Sequence, residues 1–225
     1  MLHLRCMPVD ISNLKKILAE LKEHDAALVA VSKKKSIEEI KQVYAVGHKI
    51  FGENYVQEMK EKYDALPKDI QWHFIGHLQT NKVKVIAPFV TLIQSVDSLK
   101  LLKKINKEGE KNKRIINCLL QIHIAQEETK FGFSFDEAEA LWNSSELKTL
   151  ENISINGVMG MASLTDDSGQ VGKEFKMLKS FFNNLKSQIS NLKSLSMGMT
   201  SDYKIALQEG SNMVRIGSAI FGGRI

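Results

Sequence analysis

The chain has 225 residues, 43% hydrophobic and 25% charged, with a formal net charge of +5. That balance suits one globular domain with a sizeable core and excludes a disordered or fibrous chain. Lysines alternate with acids, as in "KKINKEGEKNKR", so the surplus reads as solvated helix faces rather than a nucleic-acid patch, and it is compatible with a small phosphorylated ligand.

In chain order, "DISNLKKILAELKEH" (10–24) spaces Leu14, Ile17, Leu18 and Leu21 as one face of an amphipathic helix, with Asp10 or Ser12 as its N-cap. "ALVAVS" then reads as strand one. "SIEEIKQVYAVG" reads as a helix capped by Ser36 and stopped by Gly47. Strand–helix pairs continue as "KIFGEN" and "YVQEMKEKYDAL", "QWHFIG" and "NKVKVIAPF", then "VTLIQSV" and "SLKLLKKINKEGEKN". "RIINCLLQIHI" is followed by "SFDEAEALWNSS". "ISINGVMGM" is followed by "VGKEFKMLKSFFNNLKSQI", which puts Phe175, Leu178, Phe182 and Leu185 on one face. "SLSMGM" precedes a helix in "SDYKIALQEG", capped by Ser201, and "MVRIGSAIFG" is the last strand with its loop.

Eight strands result, each but the last followed by a helix. Strict alternation predicts parallel strands and a closed (β/α)₈ barrel, a single domain over 1–225, with the N-terminal helix plugging or flanking it. A doubly wound open sheet would place a glycine-rich turn after strand one, and "VSKKKS" has no glycine. No apolar run approaches membrane length, and "MLHLRCMPVDIS" has no apolar leader core. Cys118 reads as a buried, inert thiol, and it forms no metal or disulfide pattern with Cys6, so the expected compartment is a reducing cytoplasm.

In such a barrel the chemistry sits where strands end. The polar residues at those ends are Lys33, Asn54, His77, Thr200 with Ser201, and Arg215 with Gly217 and Ser218. Lys33 is either a strand-end lysine reaching for water or a desolvated amine able to form an imine with a carbonyl. The glycines and hydroxyls of "SMGMTSD" and "RIGSAIFGG" fit a phosphate site on the loops after the last two strands. Arg215, set in an apolar strand, needs a structural carboxylate or a ligand, and Glu53 in "FGEN" is a possible partner for a cation in the barrel.

"VAVSK", "FGENYVQE", "WHFIGHLQTNK", "GVMGMAS", "LSMGMTSDY" and "MVRIGSAIFG" together resemble the pyridoxal phosphate homeostasis protein family, in order and over nearly the whole chain. That family is similar to the barrel domain of alanine racemase and related fold-type III enzymes. The resemblance implies pyridoxal 5′-phosphate (PLP) held as a Schiff base on Lys33. Thr200, Ser201, Gly217 and Ser218 fall on its phosphate loops, and Arg215 on the position facing the pyridine nitrogen. Asn54, His77 and Met199 complete the expected cofactor-binding set, with no catalytic residue. The sequence departs from the family in having "VSKKKS" without a proline soon after the lysine, and in ending in "GGRI" rather than an acidic, aromatic tail.

A guanidinium beside the pyridine nitrogen disfavours its protonation and weakens the cofactor as an electron sink. A two-base racemase would also need a tyrosine from another domain, and none of Tyr44, Tyr55, Tyr63 or Tyr203 ends a predicted strand. The leading expectation is therefore a non-catalytic, cytoplasmic PLP carrier that buffers or delivers the cofactor, to PLP-dependent apoenzymes or to the free pool. It is expected to be a monomer without nucleic-acid or membrane partners. A PLP-dependent amino-acid racemase, a cofactor-free Schiff-base aldolase and a binder of another phosphorylated metabolite remain as alternatives.

Overall fold

The apolar run at 26–31 becomes the first barrel strand in the computed structural model of the chain, which describes residues 9–127, 131–188 and 191–223. The elements run α1 (Ile11–Glu23), β1 (Ala27–Val31), α2 (Ile37–Ala45), β2 (Ile50–Glu53), α3 (Val56–Ala65), β3 (Gln71–Phe74), a 3₁₀ turn (Thr80–Lys82), α4 (Val83–Ile86), β4 (Leu92–Val96) and α5 (Leu99–Lys111). They continue β5 (Ile116–Ile122), α6 (Phe135–Asn143), α7 (Ser145–Lys148), β6 (Ile153–Gly160), α8 (Ser168–Gln188), β7 (Ser194–Met199), α9 (Tyr203–Gln208), β8 (Met213–Ile216) and α10 (Ser218–Phe221). Every strand pairs in parallel with its sequence neighbour, and β8 returns to β1 in the register Ala27↔Met213 to Ala30↔Ile216. The sheet is a closed (β/α)₈ barrel, as the alternation predicts.

Local chemistry explains where the helices begin. Asp10 caps α1, its Oδ1 accepting from Asn13 N at 2.8 Å. Ser36 and Glu39 form a reciprocal capping box on α2, and Ser134 and Glu137 form another on α6. Gly47 follows α2 at φ +91°, the left-handed conformation that a side chain would oppose. The helix after β7 differs from the expected one. Asp202 rather than Ser201 stands at its N-cap, and Asp202 Oδ1 accepts from Met199 N at 2.5 Å. That bond folds the turn back on the end of β7 and delays the helix to Tyr203.

The last strand is also followed by a helical turn, α10, where the sequence predicts a loop. The N-terminal helix flanks the barrel by seating on this turn: Asp10 N donates to the Ile220 carbonyl at 2.8 Å, and Asn13 Nδ2 to that of Ala219 at 2.7 Å.

Apolar packing divides in two. The larger core lies between sheet and helices and includes Leu14, Trp72, Phe175 and Phe182. A smaller cluster of Leu92, Leu119 and Met159, with Met213 and Met161 against it, fills the barrel interior. Gln94 Nε2, on β4, meets Met213 Sδ, on β8, at 3.3 Å. These strands are half a barrel apart, so the contact crosses the interior. Interior layers of this kind make the barrel a packed scaffold rather than a pore. Cys118 is fully buried and burial pushes its thiol pKa far up, which leaves it inert at neutral pH. Cys6 lies outside the described residues.

Candidate functional site

The turns leaving β1, β7 and β8 meet at one side of the barrel mouth. Lys33 lies two residues beyond β1 and is half-buried. Gly217, the residue after β8, lies so close to β1 that a Cβ there would stand 3.1 Å from the Val31 carbonyl oxygen and 3.2 Å from its Cβ. Gly217 N donates to Thr200 Oγ1 at 3.3 Å, which joins the β8 turn to the β7 turn. Lys35 Nζ donates to the Phe221 carbonyl at 2.6 Å, which ties the segment after Lys33 to the end of α10. The pairing Val31↔Gly52 sets the end of β2 beside β1, and Asn54 follows that end. Asn54 Oδ1 is buried and lacks a hydrogen-bond partner, so it is an acceptor with unused capacity.

Ser201 and Ser218 are exposed on the two turns, and Met199 is half-buried at the end of β7, opposite Arg215 in the β7–β8 register. His77 belongs to a different arc of the rim. Its Nδ1 lies 3.0 Å from Asp97 Oδ2, beyond β4, and its ring stacks on Phe131 at 4.1 Å between centroids. Tyr55, next to Asn54 in the turn after β2, is half exposed. The other three tyrosines are engaged elsewhere, Tyr44 with Asp69, Tyr63 with Phe89 and Tyr203 with Glu20.

Arg215 is buried, and hydrogen bonds rather than a carboxylate hold it. Its Nη1 donates to Ser196 Oγ at 2.5 Å and its Nη2 to the Gly160 carbonyl at 2.9 Å. Ser196 Oγ donates onward to Gln94 Oε1 at 2.7 Å, and Gln94 Nε2 meets His73 Nδ1 at 3.0 Å. The polarity runs one way, from guanidinium to hydroxyl to amide to imidazole. Because His73 Nδ1 accepts, its proton sits on Nε2. Burial holds the His73 pKa down at about 4, so the ring is neutral at physiological pH. Burial also lowers the Arg215 pKa, opposed by Asp202, but only to about 10, so the guanidinium stays charged.

Glu53 does not serve Arg215. It is wholly buried on β2, accepting from Ser32 Oγ at 2.6 Å and pairing with Lys62 Nζ at 2.7 Å. Burial raises its carboxyl pKa and the Lys62 ammonium partly opposes this.

Sequence reasoning found the residues at strand ends and missed the chain beneath them. A polar residue isolated in an apolar strand was the available signal: His73 in "QWHF", Gln94 in "LIQSV" and Ser196 in "SLSMGM".

A barrel with a lysine after β1 and hydroxyl- and glycine-bearing turns after β7 and β8 defines a class. Residues 10–225 match the family model described as "Alanine racemase, N-terminal domain", and the chain belongs to that family. Within it, the chain belongs to the pyridoxal phosphate homeostasis proteins. The protein of that name from Pasteurella multocida is 37% identical over 219 residues, covering 94% of this chain and 93% of its own. PipY of Synechococcus elongatus PCC7942, solved without PLP, is 31% identical with a TM-score of 0.88, covering 94% of this chain and 99% of PipY. The PLP-bound PipY structure is 30% identical with a TM-score of 0.84 and the same coverage. An alanine racemase from Clostridium difficile 630 shares the fold, with a TM-score of 0.73 at 17% identity, covering 96% of this chain and 57% of the racemase.

Proposed function

We propose that this chain binds PLP on the β1–β8 side of its barrel mouth and acts in cytoplasmic PLP homeostasis, buffering the cofactor or delivering it to apoenzymes. One observation carries the reading: the Gly217 turn lies against the last residue of β1 and bonds Thr200, so a lysine and two donor-rich turns share one small space. The residues present fit the cofactor. Lys33 supplies a primary amine; Thr200, Ser201 and Ser218 supply hydroxyl donors. The first amides of α10 lack acceptors within their own helix, as the start of any helix does. Asn54 Oδ1 is an acceptor with no partner. The PLP-bound PipY structure supports the assignment by kinship.

When bound, the cofactor supplies an aldehyde that condenses with amines and a ring that withdraws electrons. In this reading Lys33 would hold the aldehyde, the β7 and β8 turns would hold the phosphate, and Arg215 would face the ring nitrogen. Ser196 and the Gly160 carbonyl fix the guanidinium, and its permanent charge keeps a proton off a neighbouring nitrogen. That arrangement favours storage over catalysis at an amino acid's α-carbon. The names of the relatives support a carrier, and the likeness to racemases supports only a common fold. Among the described residues no helix is long and apolar enough to cross a membrane. We read the protein as a single-domain monomer without nucleic-acid partners.

Adding PLP to the purified protein is expected to give the visible absorption of an imine. Lys33→Ala removes that absorption while leaving the far-UV spectrum unchanged, because the residue lies beyond the packed strands. Loss of secondary structure in the variant, or an unchanged chromophore, contradicts the assignment. Release of the α-hydrogen of an amino acid into solvent by the loaded protein would favour the racemase reading, with Tyr55 the first residue to replace.

A further inference from the structure

One ion cluster grips the turn that carries Lys33 from both sides. On the strand side, Ser32 Oγ donates to Glu53 Oε1 at 2.6 Å and the Ser32 carbonyl accepts from Lys62 Nζ at 2.7 Å. On the far side, Lys34 N donates to Glu58 Oε1 at 2.5 Å. Lys62 Nζ joins the halves, at 2.7 Å from Glu53 Oε1 and 2.7 Å from Glu58 Oε1. The residues before and after Lys33 therefore both hang from the unit β2–α3.

The grip coincides with strain. Lys34 has φ +60°, a left-handed conformation that costs a residue with a side chain on the order of 1 kcal/mol. The Glu58 bond lies at that strained amide. The cluster is also a poor device for stability alone. Glu53 is fully buried, Lys62 is 5% exposed, and Glu53 Oε2 has no hydrogen-bond partner. Desolvating such a pair offsets most of its attraction. What the cluster does achieve is to set the backbone at 32 and 34, and so the direction in which residue 33 leaves it.

We infer that Glu53, Lys62 and Glu58 are positioning residues that aim Lys33 Nζ at the aldehyde of PLP, acting through the backbone of Ser32 and Lys34. The inference rests on the reading of Lys33 as the covalent anchor. In that step the neutral amine adds to the aldehyde carbon, a C=N bond forms, and the carbonyl oxygen leaves as water with the two amine protons. A misplaced amine slows such a step steeply, since reactive geometry tolerates little displacement.

The test uses two substitutions at Glu58, whose side chain is 21% exposed, so that either variant can fold. Glu58→Asp keeps the charge but shortens the reach to Lys34 N by one methylene. Glu58→Gln loses the charge but keeps an acceptor oxygen at the same reach. Stopped-flow absorbance follows imine formation with PLP. Equilibrium binding of pyridoxine 5′-phosphate, which has no aldehyde, follows the rest of the site.

The expected pattern is imine formation slowed about tenfold or more in Glu58→Asp, the equivalent of one lost charged hydrogen bond. Glu58→Gln stays within about threefold of wild type, and pyridoxine 5′-phosphate binds all three proteins alike. Wild-type imine rates in Glu58→Asp would overturn the inference, as would parallel loss of pyridoxine 5′-phosphate binding, which marks a general loosening of the site. Failure of the underlying reading shows separately, as a wild-type protein that forms no imine on Lys33 at all.

Discussion

His73 shows what a single buried residue contributes. It ends a chain of hydrogen bonds that begins at a charged guanidinium, and its neutrality lets Nδ1 accept from Gln94. Burial lowers its pKa from 6.5 to about 4. The unfolded chain therefore takes up the proton first as pH falls. Stability present above pH 6.5 is lost progressively toward pH 4. The full gap corresponds to about 3 kcal/mol. His48, also held down by burial, adds to the loss in the same direction. His73→Asn keeps an acceptor near the Nδ1 position without the titration. Urea melts at neutral pH and near pH 4 should show a distinctly smaller acid loss in the variant; the same acid loss in both proteins would contradict this role.

At the scale of elements, β3, β4, β7 and β8 are linked through Gln94, whose two ends join His73 and Ser196. Gln94→Leu removes both bonds and leaves two buried polar groups short of partners. The expected cost is about 2–4 kcal/mol, read as a lower urea midpoint at unchanged slope. A variant within about 0.5 kcal/mol of wild type would show that the chain of bonds carries no stability.

The elements were far more legible in the sequence than these cross-links were. Alternating apolar strands and amphipathic helices are local signals, and Ser36 and Gly47 mark helix ends within a few residues. The partner of Arg215 was not legible, because Ser196 and Gly160 are 19 and 55 positions away and the bond to Gly160 uses a backbone carbonyl. Glu53 looked like a partner for a cation in the barrel, yet its cation is Lys62 on α3, nine residues further on. The start of α9 differs from the Ser201 cap that the sequence predicts because Asp202 turns its side chain back to Met199, a competition between two adjacent polar residues that periodicity does not resolve.

At the scale of the whole molecule, closure of β8 onto β1 brings the end of the first strand, two residues before Lys33, against the last strand's glycine turn. Val31, the end of β1, and Gly217 are almost the whole chain apart in sequence, and only a closed barrel makes them neighbours. The packed layers lie below the mouth and the proposed cofactor-binding residues above it, so in this reading the scaffold's stability and the site's chemistry are largely separate. This is why removal of Lys33 is expected to spare the fold, while substitutions at His73 or Gln94 are expected to weaken it.

The most direct measurement loads the intact protein with PLP, reduces it with borohydride, and maps the added mass by peptide sequencing in a mass spectrometer. The account predicts one phosphopyridoxyl group, on the ε-nitrogen of Lys33. A protein that carries no such group after reduction, or carries it on another lysine, would contradict it.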